Sequence, residues 1–272
     1  NAFNINISGN TIYDGYNSIK LYGDDQARIH GFSIANNHFS PYNYGLYCHG
    51  VDSMSISGNV QEGVGNQYGG YGLYLYYCDV FDISGNNITI PDGSALYIYN
   101  ANENSQSQYS IIKNNMFVGD GAYNRGMYLS NSSNLNIFHN SISGGIGLYI
   151  SSYNAANNYD IRNNIFVGKI DEAFYKNVPT SDTNYVIDYN LYYSIGGNFV
   201  YDQGGYSDLT SWQTAVPNFN TSPIEGDPVF TSASDLHIIG NLPNDAGDNT
   251  VGVTIDIDGD TRPASGSTTV DM

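Results

Sequence analysis

The sequence predicts an all-β solenoid: a rod of stacked coils, each built from two or three short strands, followed by an irregular C-terminal segment. Three observations carry this. An Ile followed three residues later by Asn recurs eight times between residues 7 and 190. Apolar residues alternate on either side of each Ile, as they do in strands. No window of the first 195 residues carries a 3.6-residue apolar stripe.

The copies are Ile7/Asn10, Ile34/Asn37, Ile56/Asn59, Ile83/Asn86, Ile112/Asn115, Ile137/Asn140, Ile161/Asn164 and Ile187/Asn190. Successive Asn residues lie 27, 22, 27, 29, 25, 24 and 26 positions apart, a drifting period that a solenoid tolerates and a compact globule does not. Two residues before the Ile stands Ile5, Phe32, Met54, Phe81, Leu135, Tyr159 or Tyr185, with Ser110 the exception. Five residues after it stands Ile12, Phe39, Ile88, Phe117, Ile142, Phe166 or Tyr192, with Gln61 the exception. Each copy is thus one coil, turned by Asn, Gly and Ser. Eight coils spaced like paired strands make a rod of roughly 34 Å. Stacked Asn side chains can hand amide hydrogen bonds from coil to coil, so the eight Asn read as a structural ladder.

This pattern resembles the right-handed parallel β-helix family of pectate lyases, polygalacturonases and chondroitinase-B-like enzymes. The resemblance covers residue 1 to about 195 and implies that fold. It implies no single activity, because the scaffold hosts lyases, hydrolases, tailspikes and adhesins. The expected division is a β-helix over 1–195 and a C-terminal cap over 196–272 that packs on the last coils.

Composition narrows the partners. The 272 residues are 40% hydrophobic, enough to bury a core, and no apolar run approaches a membrane span. The net charge is −18 with only 8 Lys plus Arg, which excludes nucleic acid as a partner. The same charge weighs against a strongly acidic polysaccharide unless calcium bridges the two. An acidic chain rich in Asn and Tyr fits an extracellular setting, secreted or attached to a cell surface. The chain starts within a coil and ends at "VDM", which reads as part of something longer, with further domains as candidate partners. Cys48 falls in the column of Leu75 and Cys78 three residues beyond it, an offset that suits two separate buried thiols.

A second column precedes most of the Ile markers: "GLYCHG", "GLYLYY", "ALYIYN", "GMYLSN", "GLYISS" and "AFYKN". Leu46, Leu73, Leu96, Met127, Leu148 and Phe174 should point inward. Alternation then turns Tyr47, Tyr74, Tyr97, Tyr128, Tyr149 and Tyr175 outward, with Lys20 in the first coil and Tyr76 and Tyr99 alongside. Six such Tyr make a strip about 24 Å long. A flat row of phenol rings suits the apolar faces of sugars, and an exposed aromatic strip of that size marks a binding surface. The bland alternative is a self-stabilising ladder of good strand formers.

The signals for catalysis are sparse. Asp24 and Asp25, followed one coil later by His49–Gly50, resemble the Asp pair and Gly-His-Gly of the polygalacturonases. Cys48 replaces the first Gly, however, and the Arg-x-Lys of that family is missing. A lyase needs a basic cluster, and Lys20, Arg28, Lys113, Arg125, Arg162, Lys169 and Lys176 are scattered. The Gly-rich stretch 63–72 lacks the Lys of a phosphate loop and reads as a surface loop.

After Asn190 the rhythm stops. "SDLTSWQTAV" suggests a short helix capped by Ser207 or Asp208. "GDPVF", "DLHI", "AG" and "DIDGDTRP" then follow in an order that closely resembles the C-terminal part of secreted, surface-sorted bacterial β-helix proteins, which implies export. Trp212 and Phe230 are the expected apolar plugs of the open end. Asp256, Asp258 and Asp260 alternate like the start of a calcium loop, without the twelfth-position Glu of an EF-hand. Calcium is therefore the one cofactor considered, against a plain Asp-rich turn held by Arg262. The leading expectation is an extracellular carbohydrate-binding or adhesive module. A polysaccharide lyase or glycoside hydrolase, and a spacer of a larger adhesin, are the alternatives.

Overall fold

The structure, a computed structural model, describes residues 4–24, 27–63, 70–102, 108–153, 158–179, 184–217 and 221–272. Three parallel sheets run the length of a rod. The first holds eight strands, from Ile5–Ser8 to Tyr185–Asp188. The second runs from Thr11–Tyr13 to Leu191–Ser194 and gains Ile224–Glu225 as a ninth strand. The third runs from Asn17–Tyr22 to Val200–Asp202, ending in the antiparallel Gly205–Tyr206.

The eight Ile markers pair directly from coil to coil, Ile7 with Ile34 through to Ile161 with Ile187. The Asn column follows from this register. It runs unbroken through Asn10, Asn37, Asn59, Asn86, Asn115, Asn140, Asn164 and Asn190. In each of the seven steps, one Asn donates both its backbone N–H and its Nδ2 to the next Oδ1 at 2.9–3.1 Å.

The ladder is more than the amide-to-amide chain expected from the spacing. From Asn37 onward Nδ2 also reaches the carbonyl of the preceding coil's marker Ile. Asn140 and Asn164, both fully enclosed, add a third bond each, to the carbonyls of Phe138 at 3.0 Å and Arg162 at 2.9 Å. These amides therefore tie the turn to the backbone of its own coil as well as to its neighbours, because a buried NH2 must place both protons.

The residue just before each ladder Asn is left-handed, from Gly9 (φ 67) and Asn36 (φ 54) to His139 (φ 52) and Tyr189 (φ 51). Gly and Asn dominate that column because they tolerate this backbone, which is why "GN" and "NN" recur.

The two exceptions in the apolar columns behave differently. The Ser110 hydroxyl accepts from Phe81 N at 3.0 Å and exchanges bonds with the Asn102 amide, so this polar site is satisfied. Gln61 is 2% exposed between Phe39 and Ile88, and its Oε1 has no hydrogen-bond partner.

The third sheet continues to residue 206 before helix α1 (Leu209–Ala215) begins, capped by the Asp208 carboxylate on Ser211 N. Trp212, 1% exposed, closes the end of the core against Phe174 and Tyr192, as expected of a plug. Phe230 does not plug the end. Partly buried, it bridges two small clusters on the outer side of the second sheet, one around Met116, Val118 and Leu236 and one around Ile165, Val167 and Leu191. The cap thus runs back along the rod: the Ser234 carbonyl meets Thr89, the Ile255 carbonyl meets Asn114, and Asp248 meets Asn163. It covers the later coils of the second sheet, from Thr89 on, and their corner with the first.

Candidate functional site

The third sheet owes its outer face to the small residue ahead of each "LY" or "MY". In "GLYLY", Gly72 and Leu73 both turn inward, and a Cβ on Gly72 would sit 2.2 Å from Ile88 Cγ2. Two consecutive inward residues reset the alternation and present the Tyr to solvent. The six expected Tyr pair in one column, with Lys20 at its head and Tyr201, unanticipated, as a seventh Tyr at its foot. Tyr201 stands 26 positions after Tyr175, so the period itself was the signal for it.

The rings do not lie flat as expected. Tyr97 and Tyr128 stack at 4.4 Å and 10°, Tyr149 and Tyr175 at 4.4 Å and 3°, and Tyr175 and Tyr201 at 4.5 Å and 11°. Tyr128 and Tyr149 meet edge to face at 4.8 Å. Coils one strand spacing apart bring like rings face to face, so the faces are occupied by one another and the edges and hydroxyls look outward. Every Tyr of the column is half-buried. Burial and neighbouring phenols push the Tyr74 and Tyr97 hydroxyls well up and that of Tyr149 to about 12, so these groups stay protonated and can donate.

Flanking columns widen the face. Tyr44 and Tyr71 stack on one side at 5.6 Å and 17°. On the other side stand Tyr22, His49, Tyr76 and Tyr99, with His49 edge-on to Tyr22 at 4.7 Å and 4.8 Å from Tyr76. Two cations lie on the rings: Lys20 Nζ is 5.3 Å from the centre of Tyr47, and the Arg125 guanidinium is 4.9 Å from Tyr128 and 4.6 Å from Tyr149. Arg125, isolated in the sequence, thus belongs to the face.

The other candidates fall elsewhere. His49 is part of the aromatic face; Asp24 sits in the following turn, where its backbone pairs with Ala27; Asp25 lies outside the described residues. Residues 64–69 of the Gly-rich stretch lie outside them too. Arg28 instead joins Asp52 at 2.8 Å and Asp79 at 3.1 Å, a corner that the scattered cations did not reveal. Asp256 Oδ1 accepts the amides of Asp258 and Asp260, Asp258 approaches His237 Nε2 at 3.1 Å, and Arg262 Nη1 reaches the Ile255 carbonyl and Asn114. Among the described residues no three His, Cys, Asp or Glu side chains group as metal ligands would. Cys48 and Cys78 are free and buried. The ladder amides from Asn37 to Asn190, Asn140 and Asn164 among them, are enclosed and fully engaged with one another, so they offer nothing to a ligand.

Against known proteins, the family model described as periplasmic copper-binding protein (NosD) matches residues 1–108. No curated protein and no solved structure matches.

Proposed function

We propose that the chain is an extracytoplasmic β-helix module that binds a glycan along the tyrosine face of its third sheet. The observation that carries this reading is the seven-Tyr column left open while the cap covers the later coils of the second sheet. A parallel row of protonated hydroxyls at one coil spacing offers donors and acceptors to a hydroxylated chain lying along the rod, with ring edges as its apolar contact. The partial match to a periplasmic family supports a location outside the cytoplasm, and no helix of the described residues is long and apolar enough to cross a membrane.

As for the copper in that family's name, no three His, Cys, Asp or Glu side chains among the described residues of 1–108 group as its ligands would. The sulfurs within 1–108 lie in the packed core, where Cys48 Sγ is 3.6 Å from Met54 Sδ. Burial holds the Cys78 thiol up at about 12 and that of Cys48 well above its usual range, so neither supplies a thiolate.

Replacing Tyr97 and Tyr128 together with Ala should abolish retention on immobilised glycans. Undiminished retention by the folded double variant would retire the reading.

A further inference from the structure

The strands of the third sheet hold few charges: Lys20, Arg125, Lys176 and Asp202. Lys176 and Asp202 are buried and pair with each other. The charges left on the face are therefore two cations, in a chain of net charge −18. Among the described residues no carboxylate pairs with either of them. Arg125 gives Nη1 to the Tyr123 carbonyl at 2.6 Å, and its Nε is buried without an acceptor. The rings of Tyr128 and Tyr149 hold the guanidinium in place without neutralising it. Of the 26 acidic residues in the chain, none among the described residues is set against either facial cation.

We infer that the glycan taken by this face, on the reading proposed above, is a mostly neutral chain carrying isolated acidic groups, one of them seated on Arg125. Two opposing effects fix the class. The planar fork of an arginine takes a carboxylate or sulfate through paired hydrogen bonds, stronger than neutral ones. The field of a strongly negative protein repels a polymer acidic at every unit. Only sparse acids satisfy both. Lys20 lies four coils from Arg125, about 19 Å along the rod by strand spacing, and marks where a second acid would sit. The hydroxyls of Tyr74 and Tyr97 between them would bond the neutral units.

The test titrates the intact protein with one hexasaccharide in three forms: neutral, bearing a single uronate, and bearing a single sulfate. At least one acidic form should bind tenfold or more tighter than the neutral one. That advantage, read as the ratio of acidic to neutral affinity, should shrink with added salt and vanish in Arg125→Gln. The two acidic arms decide between carboxylate and sulfate. Equal affinity for all three forms overturns the inference and leaves the glycan reading standing. Binding of none overturns both. Should Arg125→Gln fail to fold, Lys20→Gln together with the salt series replaces it, since an acid preference indifferent to both refutes the inference.

Discussion

Asn163 sets the tautomer of His139. Its Oδ1 accepts Asp248 N at 2.7 Å and its Nδ2 donates to Asp248 O at 2.9 Å, which fixes which end of the amide is which. The same Nδ2 lies 3.0 Å from His139 Nε2, which must then accept, leaving the proton on Nδ1. Burial, aided by nearby Arg262, lowers the pKa of this imidazole to about 3. The unfolded chain takes up a proton below the ordinary value of 6.5, whereas the folded one does not until about pH 3. Stability from this group is therefore complete above 6.5 and lost as pH falls towards 3, by about 1.4 kcal/mol per pH unit within that window. His139→Asn suits the left-handed backbone and should flatten this part of the slope, measured as urea midpoints from pH 7 to 4. An unchanged slope would contradict the assignment.

The Asn ladder should weaken unevenly. Asn86→Ala leaves the N–H of Asn59 and one of its two Nδ2 protons without an acceptor, and takes a donor from the Ile56 carbonyl. At about 1–3 kcal/mol per stranded buried group, the loss should be at least about 3 kcal/mol in chemical denaturation. Asn140→Ala and Asn164→Ala strand equivalent groups and should cost a similar amount. Asn10→Ala, at the exposed first coil, should cost less than about 1 kcal/mol.

Gln61 is a site where a mutation should help. Its buried Oε1 lacks a partner amid apolar neighbours, so Gln61→Met is expected to stabilise by about 1–2 kcal/mol. A lower melting temperature would show that the amide is bonded after all.

Lys176 and Asp202 occupy the inward column above Trp212, whose Nε1 donates to Asp202 Oδ2 at 3.3 Å. Lys176→Met alone leaves a buried carboxylate unpaired and should cost about 3–5 kcal/mol. Adding Asp202→Asn, which keeps an acceptor for Trp212, should recover most of it. A double variant as weak as the single would mean that packing, and not charge, is decisive there.

The position of the cap has a local signature in the sequence. Outward residues of the second sheet include Thr11/Tyr13, His38/Ser40 and Asn87/Thr89 in early coils, then Met116/Val118, the small pair Ser141/Ser143, and Ile165/Val167. The continuous apolar strands on either side of Ser141/Ser143 mark where something must cover the sheet. Arg125 is hidden for a different reason. Its neighbours in sequence, Gly126 and Met127, both point inward, so counting by twos from Tyr128 misplaces it.

The sequence by itself determined the coil, the register and the columns, because strand alternation and a period of some two dozen residues admit one stacking of Ile on Ile and Asn on Asn. Only the tertiary structure decided that the phenol faces turn to one another, that two cations rest among them, and that the cap folds back along the second sheet. Those outcomes depend on the spacing between coils and on contacts between residues far apart in the chain, which no local pattern encodes.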